Sequence, residues 1–182
     1  MKRYFAVAAI MIATSCTSNT NQKVALSATA DSTAATVADP ATPASVKLKD
    51  ANVQSIYNGY LTLKDALVNS KFEDAKKAAA ELKVNLAAEK GCESTAVTAE
   101  KMATAKDIAA QRKDFTALSA DLIALFKHAA VETGTIYVQH CPMANKGDGG
   151  DWLSSEKKIQ NPYYGDEMME CGRVVEEIKA AK

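Results

Sequence analysis

Val53-Gln54-Ser55-Ile56-Tyr57-Asn58-Gly59-Tyr60-Leu61-Thr62-Leu63-Lys64-Asp65-Ala66-Leu67 decides the fold. Val53, Ile56, Tyr57, Tyr60 and Leu67 recur at spacings that line one side of an amphipathic helix. Three further stripes follow. Ser70-Lys71-Phe72-Glu73 has the form of a capping box, Ser followed three residues on by Glu. Phe72, Ala75, Ala79, Leu82 and Leu86 then step by three and four, with Gly91 as the stop. An Ala-rich third segment runs from about Ala96 to Gln111 with Met102 and Ile108 inside it, and Phe115, Leu118, Leu122, Leu125, Phe126 and Ala129 form the fourth stripe, ended by Gly134. Four stripes with short connections predict a mainly α protein, an up-down four-helix bundle whose Ala-rich interior lets helices approach closely. His128 lies in the fourth helix, where a lone histidine reads as packing or surface.

After Gly134 the pattern changes, and a small C-terminal lobe of short strand, loops and short helix is expected. Thr135-Ile136-Tyr137-Val138-Gln139 is β-prone and delivers His140, Cys141 and Met143. Asn145 to Asp151 carries three glycines and reads as a turn, because it lacks the Asp/Asn spacing and terminal Glu of a calcium hand. Trp152-Leu153 supplies an apolar anchor, and Asn161-Pro162-Tyr163-Tyr164-Gly165 makes a second turn. Asp166 is placed to cap a short helix carrying Met168 and Cys171, with Val174, Val175 and Ile178 packing the end of the chain.

The other end reads as an address. Lys2 and Arg3 precede the apolar run Tyr4 to Ala13, which has the length of a signal h-region and is too short to span a bilayer as a mature helix. Ala13, Thr14 and Ser15 lead into Cys16, an arrangement that resembles a bacterial lipoprotein box. Residues 1–15 are therefore expected to be a signal peptide and Cys16 the lipidated residue that anchors an exported, periplasmic protein to the membrane. From residue 16 to 45 the chain is mostly Ser, Thr, Ala and Asn with Pro40 and Pro43, too poor in apolar surface to offset its ordering entropy, and is expected to be a disordered tether. Residues 46–182 make one domain of ordinary size. Losing Lys2 and Arg3 takes the 22 basic side chains to 20 against 22 acidic ones, a near-neutral balance that gives no support for nucleic-acid binding.

Chemistry concentrates in two blocks, His140-Cys141-Pro142-Met143 and Met168-Met169-Glu170-Cys171-Gly172. Thiolates and thioethers select Cu(I) over harder ions. Pro142 stiffens the link between Cys141 and Met143, and a helical turn after Asp166 would put Met168 and Cys171 at i and i+3 on one face, with Met169 pointing away. The residues thus offer a four-sulfur set of Cys141, Met143, Met168 and Cys171, with His140 as an alternate or supporting ligand. The alternative stays open: a Cys141–Cys171 disulfide in a structural or protein-interaction module, with the methionines filling core gaps. With Cys16 lipidated three cysteines remain, an odd number for a pure disulfide scheme, and Cys92 is unassigned. Zinc fits less well, since it favours Cys and His and has little use for Met. No Cys-x-x-Cys marks a redox catalyst and no His–acid–nucleophile set marks a hydrolase, so no enzyme is expected; a Cys141/His140 nucleophile–base pair is the remote exception.

Tyr137-Val138-Gln139-His140-Cys141-Pro142-Met143-Ala144, Trp152-Leu153-Ser154, Ile159-x-Asn161-Pro162-Tyr163-Tyr164-Gly165 and Met168-x-x-Cys171-Gly172 together resemble a bacterial exported domain family of unknown function. That domain occurs alone in lipoproteins and appended to the adaptor (membrane-fusion) proteins of copper/silver efflux pumps. The Tyr-x-x-x-Cys-Pro-Met portion is also similar to Tyr-x-Cys-Pro-Met segments of heavy-metal-binding domains, though it has two extra residues before Cys141 and no His or Cys directly after Met143. The resemblance implies binding of Cu(I) or Ag(I). On this reading the protein is expected to serve as a copper buffer or chaperone toward an efflux adaptor or another copper protein.

Overall fold

The computed structural model describes residues 45–180; the signal segment, Cys16 and nearly all of the expected tether lie outside the described residues. The fold is mainly helical, four helices followed by a strand-rich C-terminal region with two sheets. Helix α1 spans Ala51–Val68, and Asp50 caps it, its carboxylate accepting the N–H groups of Asn52 and Val53 at 2.8 and 3.0 Å. Its stripe is buried as the spacing predicts: Ile56, Tyr57, Tyr60, Leu63 and Leu67 are nearly inaccessible. The rings carry the packing. Tyr57 meets Phe126 edge-on at 5.3 Å between centroids, and Tyr60 stacks on Phe115 at 5.5 Å. Truncating such a buried ring to Ala costs about 3–5 kcal/mol, so this aromatic layer between the first and last helices is a main source of stability.

Helix α2 (Phe72–Ala87) starts without the expected capping box. Ser70 has φ +53°, and the hydroxyl meant for the helix end accepts a hydrogen bond from Arg112 at 3.0 Å. Glu73 and Asp74 in the first turn complement the helix dipole instead. Gly91, at φ +89°, takes the left-handed conformation that reverses the chain. Helix α3 is Glu93–Ala103 and α4 is Ile108–Lys127, so the expected Ala96–Gln111 segment is two pieces. The divider is Asp107, whose carboxylate accepts the Ala110 N–H at 2.7 Å and founds α4. Gln111, buried in α4, donates to the carbonyls of Phe72 and Met102, both at 3.3 Å, knitting three helices. Gly59 of α1 lets Leu82 of α2 approach to 3.3 Å of where a Cβ would stand. An ion pair joins Lys83 to Glu100 across α2 and α3, and Thr95 donates to Asp121 at 2.9 Å across α3 and α4. His128 follows the last turn of α4 and is exposed.

A strand of two residues, β1 (Lys47–Leu48), pairs antiparallel with β2 (Val131–Thr133), closing the start of the domain onto the end of α4. Next come β3 (Thr135–Cys141), β4 (Gly150–Ser154) and β5 (Arg173–Lys179) in an antiparallel sheet of order β4-β3-β5. The expected strand is present and two residues longer at its C-terminal end. The expected C-terminal helix is absent: Gly165–Glu167 forms one 3-10 turn, and Val174, Val175 and Ile178 lie on β5, with only Ile178 buried. Gly165 at φ +57° and Gly172 at φ +148° bracket a segment too short to repay helix nucleation. Tyr60 docks the sheet on the helices, its phenol oxygen accepting the Leu153 N–H at 3.1 Å and sharing a 2.8 Å bond with Ser119. Arg112 adds a second clamp, donating to the carbonyls of Pro162 (3.0 Å) and Leu67 (3.1 Å). Among the described residues, no helix is long and apolar enough to cross a membrane.

Candidate metal centre

Strand alternation sorts the first sulfur block. Gln139 and Cys141 share a sheet face with their β4 partners Trp152 and Gly150, while Val138 and His140 face the other way with Leu153 and Asp151. The connection after β4 folds over the Cys141 face, where the Gln139 amide donates to the carbonyls of Glu156 and Lys158 at 2.8 and 3.1 Å. Tyr163 follows, its ring 5.6 Å from Phe115 and 6.2 Å from Trp152. Gly150 has no room for a side chain, since a Cβ there would stand 2.6 Å from the Tyr163 ring.

Asn161, fully buried, holds the second block. Its N–H donates to the Met169 carbonyl at 2.9 Å, its side-chain amide donates to the Cys171 carbonyl at 2.9 Å, and its side-chain oxygen accepts the Tyr163 N–H at 2.8 Å. Met168 to Cys171 is a hydrogen-bonded turn, with the Cys171 N–H on the Met168 carbonyl at 3.1 Å, so Met168 and Cys171 do not share a helical face as expected. Gly172 then passes under the sheet, where a Cβ would come within 2.8 Å of the His140 carbonyl and 2.9 Å of the Trp152 ring.

The outcome is that Cys141 and Cys171, thirty positions apart, bring their Sγ atoms to 2.9 Å without a disulfide between them. Cys141 is fully buried and Cys171 is partly exposed. The hydrogen bond to Cys141 and burial push the Cys171 thiol up, while the Met143 N–H, directed at Cys171, acts in the opposite sense. Met143 also accepts the Tyr164 hydroxyl on its carbonyl at 2.5 Å, and its side chain is 53% exposed. Met168 is thus one backbone hydrogen bond from Cys171. Met169, expected to point away, is half-buried like Met168.

His140 is differently placed. Its Nδ1 lies 2.8 Å from the Asp151 carboxylate on the neighbouring strand, and the alternation that buries Cys141 turns the imidazole to the opposite face. Cys141 and His140 are thus adjacent along β3 with their side chains on opposite faces of the sheet. Among the described residues, no group of three or more His, Cys, Asp and Glu side chains converges. Cys92 is buried at the start of α3, and burial together with Glu89, Glu93 and Asp121 pushes its thiol up. A groove of about 910 Å³ between α4 and the 145–149 turn, bordered by Thr116, Asn145 and Tyr164, runs beside the site but is lined by none of its sulfurs.

Asp151, Asn161 and Trp152 are the supporting residues that residue-type reasoning about ligands passed over. Their signal is the spacing of Trp152-Leu153 and Asn161-Pro162-Tyr163 between the two sulfur blocks, legible only once the strand pairing is known.

Fold and site define a helical platform carrying a buried-to-surface dithiol in a strand-rich lobe. Residues 56–134 match the family described as "Protein of unknown function (DUF3347)". The matched segment runs from within α1 to Gly134 and stops before β3, so the dithiol lies beyond it. No curated protein and no solved structure matches the chain.

Proposed function

We propose that the protein is an exported, lipid-anchored binder of soft monovalent metal, Cu(I) or Ag(I), serving as a copper buffer or chaperone for an efflux adaptor or another copper protein. The helices, taken as an up-down bundle, are the platform, and Cys16 with the tether links that platform to the membrane. The proposal assigns no catalytic reaction. One observation carries it: two free thiols from distant parts of the chain converge at 2.9 Å at the end of β3. Paired thiolates suit a soft ion, and the thioethers proposed to join them are Met143, two residues after Cys141, and Met168, whose carbonyl accepts the Cys171 N–H. His140 is left out of the set because of its partner Asp151 and its opposite face. The rival reading, a disulfide-stabilised structural or interaction module, rests on the same approach of the sulfurs.

When bound, the ion replaces the thiol protons of Cys141 and Cys171, so loading releases protons. The chain's own contribution is orientation and exclusion of water: β3 fixes Cys141, the Asn161 brace fixes Cys171, and the Trp152 side of the sheet keeps the inner sulfur dry. The test is titration of the reduced full chain with Ag(I) and separately with Zn(II). The expected result is one tightly held Ag(I) and much weaker Zn(II). Failure to bind Ag(I), with all thiols shown to be reduced, overturns the metal reading.

A further inference from the structure

We propose a second activity for the same two sulfurs, resting on the metal reading above: two-electron thiol–disulfide exchange with small-molecule disulfides, in which Cys171 is the entering nucleophile and Cys141 the resolving thiol, and which is mutually exclusive with metal loading. The sequence lacks Cys-x-x-Cys, the usual way of keeping two thiols within reach. The fold supplies that reach by other means. The sheet fixes Cys141, the Asn161 bonds fix the Cys171 loop, and the sulfurs stand 2.9 Å apart. A disulfide requires about 2.05 Å, so closure needs a movement of the exposed partner and no rearrangement of the strand. Exposure sets the order of events: Cys171 is reachable from solvent, whereas Cys141 is fully buried behind it.

The step balances as follows. Cys171 Sγ attacks one sulfur of a disulfide R–S–S–R, the S–S bond breaks, and one R–S⁻ departs. Cys141 Sγ then attacks Cys171 Sγ, the intramolecular S–S bond forms, and the second R–S⁻ departs. Two electrons pass from the protein dithiol to the external disulfide, and the two thiol protons go to the two released thiolates. If an ion was held between Cys141 and Cys171, it leaves with those thiolates, because neither sulfur of a disulfide remains anionic. Cys92 takes no part: it is buried, with Glu89, Glu93 and Asp121 as acidic neighbours.

The experiment incubates the reduced full chain with glutathione disulfide, reads intact mass and alkylatable thiols, and titrates reduced and oxidised forms with Ag(I). The expected product lacks two hydrogens, carries an intramolecular Cys141–Cys171 link that dithiothreitol reopens, and no longer takes up Ag(I) at this site. In Cys141→Ser the reaction should halt at a glutathione adduct on Cys171, while Cys171→Ser should leave Cys141 unmodified. An oxidised chain that binds Ag(I) as well as the reduced one overturns the exclusivity while leaving the metal reading intact. A reduced chain that takes up no Ag(I), yet closes and reopens its disulfide, overturns the metal reading and with it this inference. Adducts on Cys92, or intermolecular links in place of the internal one, overturn the assignment in the unaltered chain, whether or not the variants fold.

Discussion

The side-chain amide of Asn161 donates to the main-chain carbonyl of Cys171 at 2.9 Å, and this bond ties the turn that presents the outer sulfur to the loop buried against Tyr163. Asn161→Ala would leave the Cys171 carbonyl and the Tyr163 N–H without those partners. A buried group left unsatisfied costs about 1–3 kcal/mol. The expected outcome is a lower urea midpoint together with weaker Ag(I) binding, because the loop and the site are the same structure. Asn161→Asp preserves the acceptor for Tyr163 but not the donor for Cys171. It sets a carboxylate oxygen against that carbonyl at a fully buried position, so stability and metal affinity should both fall, and retained affinity would show that the loop holds Cys171 without this bond.

Tyr60 offers a contrasting case, where stability should change and the site should not. Its hydroxyl links α1 to Ser119 and to the Leu153 N–H, and burial raises its ionisation well beyond the ordinary tyrosine range. It therefore stays a neutral phenol at any pH the protein meets. Tyr60→Phe keeps the ring stack on Phe115 and removes only the oxygen. A loss of about 1–3 kcal/mol in chemical denaturation is expected, with Ag(I) stoichiometry unchanged.

Much of the helical half was legible because its stripes are local: Val53, Ile56, Tyr57 and Tyr60 report a helix without knowledge of what they touch. The errors arose where local signals competed. Ser70 and Glu73 match a capping box, yet Ser70 is taken by Arg112 from another helix, a contact that no window of neighbouring residues contains. Asp107 is a sound cap signal that split one expected helix into two. In the C-terminal lobe, Val174, Val175 and Ile178 show a spacing compatible with several structures, and the open edge of β3 decided for a strand. The pairing of the sulfur blocks was readable from residue types. Which side each candidate residue faces was not, because His140 and Cys141 are separated by strand alternation, and that alternation was visible only in the register with β4.

Trp152 is the single tryptophan of the chain and is fully buried, with no hydrogen-bond partner for its indole nitrogen among the described residues. It shares a sheet face with Cys141 and lies against Gly172, next to Cys171. Its emission should therefore be short-wavelength in the reduced protein and should change on Ag(I) addition in step with site occupancy. Gly172→Ala would place a methyl 2.9 Å from this ring and 2.8 Å from the His140 carbonyl, at φ +148°. Shifted emission and reduced stability are expected there, and an unperturbed spectrum would show that the loop yields more easily than its contacts suggest.

Metal affinity should depend on pH with a definite sign. The Cys171 thiol is held up by its bond to Cys141 and by burial, so the ion must displace its proton on binding. Apparent Ag(I) affinity should therefore rise with pH and fall as the solution is acidified. A pH-independent affinity between neutral and mildly alkaline conditions would mean that ligands other than these thiols hold the ion.

The ligand assignment itself separates by substitution. Cys141→Ser and Cys171→Ser should each abolish tight Ag(I) binding, since each removes one of two converging thiols. Met143→Leu and Met168→Leu conserve volume, a change that ordinarily costs under about 1.5 kcal/mol. Any fall in affinity from them therefore reports a lost thioether more than a damaged fold. Met143 is the more telling of the two, because its side chain is 53% exposed and can be replaced with little effect on packing. His140→Gln is the control: with its ring on Asp151 and on the far face of the sheet, affinity should be unchanged. If His140→Gln weakens binding as much as Met143→Leu, the ion is held on the histidine face of the sheet. If only the two cysteine changes matter, the centre is a bare dithiolate and the methionines serve the fold.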